Sequence, residues 1–460
     1  MLALKEIAAA TGGKLNSKQD QIQISGISCD SRTVKVGDLF IPLKGEHFDG
    51  HDFLTDVFSK GAVAVLASRP VTVEGPVLFV PDTLKAMQQI ASYYRAQFSI
   101  PTIAVTGSAG KTTTKECIGA VLSHRFKVRV GFGNFNNHIG VPLNLFRLNP
   151  SDECAVFELG ANHAGEIKLL AEIAQPTLGV ITGIYPVHLE GFGSLERIYD
   201  AKLELADYLE KKQGTVIANG DDPVLVKRLK NRRFKLITFG ASTHCDFRIS
   251  DLRSSEDKIG FTINEQYPFE LKGYGRFNAL NAAAAVAVAG HLQMDLKLLG
   301  QSWKELPRIQ NRFHMDHWTS RNWLIVDDSY NANPKSFEQA VESFKEIAPD
   351  RRKIIVLGDM LELGPESVRY HEALGRFLGV HKIDLLVAVG PLSQFVYNAF
   401  RSAYPNGAAV HVLKMEDACS YLASNLKDGD GILIKGSHGM ELFKIKPYLE
   451  ERFNITSASV

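Results

Sequence analysis

The octapeptide T-G-S-A-G-K-T-T at 106–113 restricts this chain's folding options more than any other segment. It follows a short apolar run at 103–105 and precedes a helical pattern at 112–122. A strand, a glycine-bearing loop and a helix start in that order bring consecutive backbone N–H groups and a helix N-terminus onto one point, a cradle for phosphate. Gly107 and Gly110 let the backbone come close, and Ser108, Ala109 and Thr113 complete the loop. Lys111 is placed to neutralise β and γ phosphates, and Thr112 to offer its hydroxyl to Mg²⁺. The generic motif has Gly or Ala at the position of Val105, so the loop is an imperfect Walker sequence; taken alone it could also be a glycine-rich turn capping a helix.

Such a loop demands a parallel α/β layer around it. Strand-like runs recur at 154–158, 178–182 and 215–219, with helical patterns between them and an alanine-rich helix at 278–291. Upstream, strands are expected at 21–27 and 61–66 and a helix at 83–98, before a break at Pro101. Downstream, strands at 323–327, 353–357, 385–389 and 431–434 alternate with helices, a second doubly wound pattern. The fold class expected is α/β in three domains, with boundaries at 1–98, 99–315 and 316–460. The middle one carries a parallel sheet, the last is Rossmann-like, and the tail at 456–460 is read as loose.

Charge excludes one class of partner. With 52 basic and 51 acidic residues, the net charge of +1 argues against nucleic acid. Lys5 and Glu6 interrupt the first apolar stretch, and no segment reaches the ~18 apolar residues a membrane span needs, so a cytoplasmic protein without membrane insertion is expected. Five scattered cysteines suit a reducing compartment and form no zinc pattern.

Three polar islands follow the phosphate loop: G-N-F-N-N-H-I-G-V-P (133–142), F-E-L-G-A-N-H-A-G-E-I (157–167) and P-V-H-L-E-G-F-G-S-L-E-R-I-Y-D-A-K (186–202). Glu158 closes an apolar strand, and strand C-termini face the ligand crevice in α/β sheets, a suitable place for a Mg²⁺ ligand. His188 follows a strand through a short loop and is read either as a metal ligand or as a structural histidine. His163 and Glu166 fit loop and helix-cap roles, Asn136 and Asn137 a turn, and Lys202 by itself a helix lysine on a solvated face.

Together with D-S-R-T-V-K-V-G-D-L-F-I-P-L-K-G-E-H-F-D-G-H-D-F (30–53), D-D-S-Y-N-A-N-P-K-S (327–336), G-D-M-L-E-L-G (358–364) and K-G-S-H-G-M-E (435–441), these islands resemble the Mur ligases of bacterial cell-wall synthesis. Among those, the likeness is to members that join D-alanyl-D-alanine to a UDP-N-acetylmuramoyl-tripeptide. The resemblance implies an N-terminal UDP-sugar domain, a central ATPase, a C-terminal Rossmann-like domain, and a monomer. It implies ATP with two Mg²⁺: Thr112 and Glu158 on one, and Glu158, His188 and a carbamate formed from CO₂ on Lys202 on the other. Lys111, Glu158, His188 and Lys202 would serve catalysis. Asn137, Asn278, Asn281, Arg312 and Asp328 would contact the nucleotide. Ser31, Arg32, Lys44, Gly45, Asp49, Gly50 and His51 would line the UDP-sugar site, and Tyr330, Asn331 and Asn333 the closing cleft. Three positions depart from the family pattern: Phe277 where histidine is frequent, Ser329 in place of threonine, and His438 where arginine is common. Other readings are a ligase adding a different amino acid, a folylpolyglutamate synthetase-like ligase, and a nucleotide-binding module without catalysis. The first lacks its D-N-P-R-like element here, and the second would lack the 30–53 block.

Overall fold

A computed structural model describes residues 1–255 and 257–455; the tail at 456–460 lies outside the described residues. The central unit is a nine-stranded sheet. From one edge, its strands run Val128–Val130, Cys154–Glu158, Thr102–Thr106, Leu178–Ile181, Thr215–Asn219 and Lys235–Gly240, all parallel. The phosphate-loop strand Thr102–Thr106 is fully buried between neighbours that come later in the chain on both sides. Chain order therefore reverses at this strand, and the crevice at its C-terminal end is where open α/β sheets bind ligands.

The parallel sheet expected for the middle unit carries an antiparallel addition at one edge. Phe247–Ser254 continues it in parallel, but Lys258–Ile263 and Tyr267–Lys272 close the far edge as an antiparallel meander. Alternating burial along Tyr267–Lys272 is the period-2 pattern of a sheet with one face in water. The predicted helix at 278–291 forms as Phe277–His291. Its run of alanines presents little bulk, which lets it lie against the phosphate-loop helix Lys111–Leu122.

The C-terminal unit is a six-stranded sheet ordered His314–Trp318, Trp323–Asp328, Gly431–Lys435, Lys353–Gly358, Leu385–Val389 and Ala408–Val412. Only the first pairing is antiparallel. A boundary at 315/316 would cut the strand His314–Trp318, which belongs wholly to this sheet. The N-terminal unit holds a five-stranded sheet and a two-stranded ribbon. The strand expected at 21–27 is two short ones, Gln23–Ile24 and Gly26–Ser28, in different sheets, because the chain breaks at Ser25, whose N–H donates across to Gly37 O. Among the described residues no helix is long and apolar enough to cross a membrane.

The N-terminal and central units are fastened by the helix Thr83–Arg95, which packs against Glu166–Ala174 and Gly140–Leu145. At its end the buried Arg95 guanidinium donates to the carbonyls of Ala174, Phe98, Ile100 and Gln175. Removing it strands several acceptors away from water. Arg95→Ala is therefore expected to lower unfolding free energy by about 3 kcal/mol in urea titration.

Candidate active site

A cavity of about 580 Å³ opens at the C-terminal ends of the central strands and continues to the C-terminal unit. Its floor is the phosphate loop. Gly107 and Gly110 have φ of +147° and +80°. A Cβ at Gly107 would stand 2.0 Å from Thr182 Oγ1, and one at Gly110 2.6 Å from Asn281 Oδ1, so both positions require glycine. The Ser108 N–H is already committed to Gly183 O at 2.8 Å. The first-turn amides of Lys111–Leu122, which geometry denies an intrahelical acceptor, carry no such commitment and lie at the cavity. Lys111 Nζ curls back onto Gly107 O at 3.1 Å, and burial pushes its pKa down.

Glu158 ends its strand almost completely buried, and its partners are neutral. Thr112 Oγ1 donates to Oε2 at 2.8 Å and Asn136 Nδ2 to Oε1 at 2.8 Å. Arg312 Nη2 in turn donates to Thr112 Oγ1 at 3.1 Å, with its guanidinium 3.8 Å from the Tyr330 ring centroid. His188 lines the same cavity in a left-handed conformation (φ +49°), its Nδ1 against the Glu362 carboxylate of the C-terminal unit.

Lys202 is only 1% exposed on the helix Leu195–Lys212, where the solvated-face reading had put it in water. Its Nζ donates to Ala161 O at 3.2 Å and stands 5.3 Å from the Phe192 ring centroid. Burial first, and then the charge of Lys111, lowers its pKa to about 7. An unfolded lysine keeps its proton up to about 10.5. Between pH 7 and 10 the unfolded chain thus binds the extra proton, so stability rises with pH across that window; below 7 the cost of the buried charge is fully present. In CO₂-depleted buffer the stability of the parent relative to Lys202→Met should rise by a few kcal/mol (~3) from pH 7 to pH 10 in denaturant titrations, a difference from which the other titrating groups cancel.

The remaining nucleotide-side residues divide into two kinds. Asn281 and Asn278 line the cavity but also brace it: Asn281 accepts from Thr114 and donates to Asn278, which donates to Tyr274 O. Asp328 accepts from Lys435 Nζ at 2.5 Å and from the Phe313 N–H. Asn137 caps the turn into Gly140–Leu145, and Asn333 is the N-cap of Pro334–Ile347, while both also face the cavity with Asn331 and Tyr330. Tyr330 Oη accepts from Asn134 in the central unit. Glu166 closes the loop above it by accepting from the Asn162 and His163 N–H groups.

Ser31, Arg32, Lys44, Gly45, Asp49, Gly50 and His51 are not among this cavity's lining residues. Arg32 is exposed and holds Asp30 at 2.7 Å; Asp49 accepts from His51 Nδ1 at 2.6 Å, and His51 Nε2 accepts from the Ser68 N–H. Sequence reasoning overlooked Lys435 and Glu362. Each stands within a quoted motif, K-G-S-H-G-M-E and G-D-M-L-E-L-G: Lys435 ends an apolar strand and Glu362 follows one in the next turn.

Among the described residues no group of three or more His, Cys, Asp or Glu side chains converges tightly enough to hold a metal ion alone. The donors available are one buried carboxylate, one hydroxyl, one imidazole and one amine of lowered pKa. That set fits Mg²⁺ shared with phosphate oxygens and water, because Glu158 is a buried carboxylate whose hydrogen-bond donors, Thr112 and Asn136, carry no charge.

These features define a three-unit α/β nucleotide-binding protein with its phosphate loop at a topological switch point. Sequence comparison narrows the class. The Mur ligase middle domain matches residues 105–289, the Mur ligase glutamate ligase domain 311–438, and the Mur ligase family catalytic domain 23–125. The chain belongs to the Mur ligase family. It is 36% identical over 447 residues to the UDP-N-acetylmuramoyl-tripeptide--D-alanyl-D-alanine ligase of Bacillus subtilis, covering 96% of this chain and 97% of that one. Crystal structures of MurF from Acinetobacter baumannii (30% identity, TM-score 0.87, 98% of both chains) and of MurF from Thermotoga maritima in complex with ADP (28%, 0.82, 94% of this chain and 98% of that one) share its fold.

Proposed function

We propose that this chain is the ligase that joins D-alanyl-D-alanine to UDP-N-acetylmuramoyl-tripeptide at the expense of ATP, acting as a cytoplasmic monomer in peptidoglycan precursor synthesis. The observation that carries the reading is the meeting of Lys111, Thr112, Glu158 and His188 around one cavity bounded by two units, with Lys202 buried directly behind its Ala161 wall. The division of labour follows the sequence blocks: residues 1–98 hold the UDP-sugar, the middle block holds ATP, and the block beginning near 314 closes on both.

A carboxylate resists attack by an amine. Transfer of the γ-phosphoryl group of ATP to the tripeptide's terminal carboxylate gives an acyl phosphate; the amine of D-alanyl-D-alanine attacks it, and the tetrahedral intermediate expels phosphate. Lys111, swinging from Gly107 O, and the first-turn amides neutralise the transferring group. Arg312 contacts the phosphates, Asp328 the ribose, and Asn278 and Asn281 the adenine side. Thr112 and Glu158 would hold one Mg²⁺; Glu158, His188 and carbamylated Lys202 the other. Such ions supply charge neutralisation at the phosphoryl oxygens. Lys202 suits carbamylation: the unprotonated form of a water-excluded amine whose pKa is lowered to about 7 is a nucleophile for CO₂, and the product's remaining N–H can keep Ala161 O as acceptor. Ser31, Arg32, Lys44, Gly45, Asp49, Gly50 and His51 form the UDP-sugar site, and Tyr330, Asn331 and Asn333 position the reacting ends. Because little proton chemistry falls to side chains, positioning dominates the rate.

The test is phosphate release from ATP and Mg²⁺, with each of UDP-MurNAc-tripeptide and D-alanyl-D-alanine omitted in turn. Full release requires both; equal release without the dipeptide would overturn the ligase assignment.

A further inference from the structure

The contact between His188 and Glu362 links two units 174 positions apart in sequence. His188 lies on the turn after the central strand Leu178–Ile181, and Glu362 on the turn after the C-terminal strand Lys353–Gly358. Neither is glycine, yet both are left-handed, at φ +49° and +65°. Conformations of this kind are unfavourable for such residues and persist where the surroundings hold them. Here they are held twice. The imidazole Nδ1 faces Glu362 Oε2, and the Glu190 N–H donates to Glu362 O at 3.2 Å. An ionised carboxylate only accepts, so Nδ1 carries the proton and Nε2 keeps its lone pair. His188 lines the cavity, whereas Glu362 is not among the lining residues.

We propose that Glu362 is a positioning residue: it fixes the tautomer and ring plane of His188 so that Nε2 is presented to a divalent cation, and it does so only while the C-terminal unit is docked. Docking of that unit and completion of the cation site are then a single event. This rests on the reading of His188 as a ligand. It goes beyond that reading by making the ligand's readiness depend on a residue from another unit. Carboxylates that orient a ligating histidine in this way typically change metal affinity by about 10- to 100-fold when removed.

The experiment is Mn²⁺ titration followed by electron paramagnetic resonance, on the full chain with a non-hydrolysable ATP analogue. Parent, Glu362→Gln, Glu362→Ala, His188→Gln and the double variant His188→Gln/Glu362→Ala are compared, with thermal midpoints and analogue affinity measured alongside. Glu362→Ala should weaken the more labile Mn²⁺ by about 10-fold or more. Glu362→Gln should weaken it less, since an amide oxygen still accepts from Nδ1–H but brings no charge. The double variant should be no weaker than His188→Gln alone, because Glu362 acts only through His188. If Glu362→Ala binds like the parent while His188→Gln is weakened, the positioning role is wrong and the ligand reading survives. If His188→Gln itself binds like the parent, the ligand reading falls and takes the proposal with it. Additive losses in the double variant would also overturn it.

Discussion

Lys111→Ala is expected to lower phosphate release by about 10³-fold while leaving UDP-sugar affinity within about twofold. The reason is local. The Lys111 ammonium is the only side-chain cation of the phosphate loop itself, it is buried, and it bonds to loop carbonyls within reach of any phosphate seated on the first-turn amides. In a site screened from water, charge aimed at the transferring group is worth far more than at a surface. The seven residues assigned to the UDP-sugar do not line the cavity that holds Lys111, which is why sugar binding should survive. Turnover and UDP-sugar binding, measured on the same preparation, check both halves. Retained turnover would dismiss the loop assignment.

Glu158→Gln is expected to be equally damaging, by about 10³-fold in turnover, with little change in thermal midpoint. The amide keeps the size of the carboxylate and can still accept from Thr112 while packing beside Asn136. What it loses is charge, and the account places both cations on that charge. Raising Mg²⁺ should therefore recover some activity in Glu158→Gln and none in Lys111→Ala. A Mg²⁺ titration of the two variants side by side distinguishes a lost ligand from a lost phosphate contact.

How much of this was legible in the sequence depended on distance along the chain. The phosphate loop was readable because strand, glycines and helix start are contiguous, and each has one physical reason to be there. Glu158 was readable as a carboxylate ending an apolar run. Lys202 was misjudged when read alone, although the signal was present. It stands four residues after Ile198 and three before Leu205, on the buried face of its helix. The antiparallel strands 258–272 also carried an alternating pattern that the parallel expectation passed over. Other features had no local signature. Glu362 meets His188, Lys435 meets Asp328, and Arg95 meets Ala174 only through tertiary packing, at separations of 174, 107 and 79 residues. A motif can mark such residues as unusual, but only the folded chain pairs them.

The central claim is that a peptide carboxylate becomes an acyl phosphate in the cavity around Lys111 and Glu158. Its most direct test is isotopic: UDP-MurNAc-tripeptide with ¹⁸O in its terminal carboxylate is turned over with unlabelled ATP, Mg²⁺ and D-alanyl-D-alanine, and the released phosphate is analysed by mass. Acyl phosphate formation requires one carboxylate oxygen to leave with the phosphate, so singly labelled phosphate should appear in step with peptide product. Peptide product accompanied by unlabelled phosphate would contradict the account.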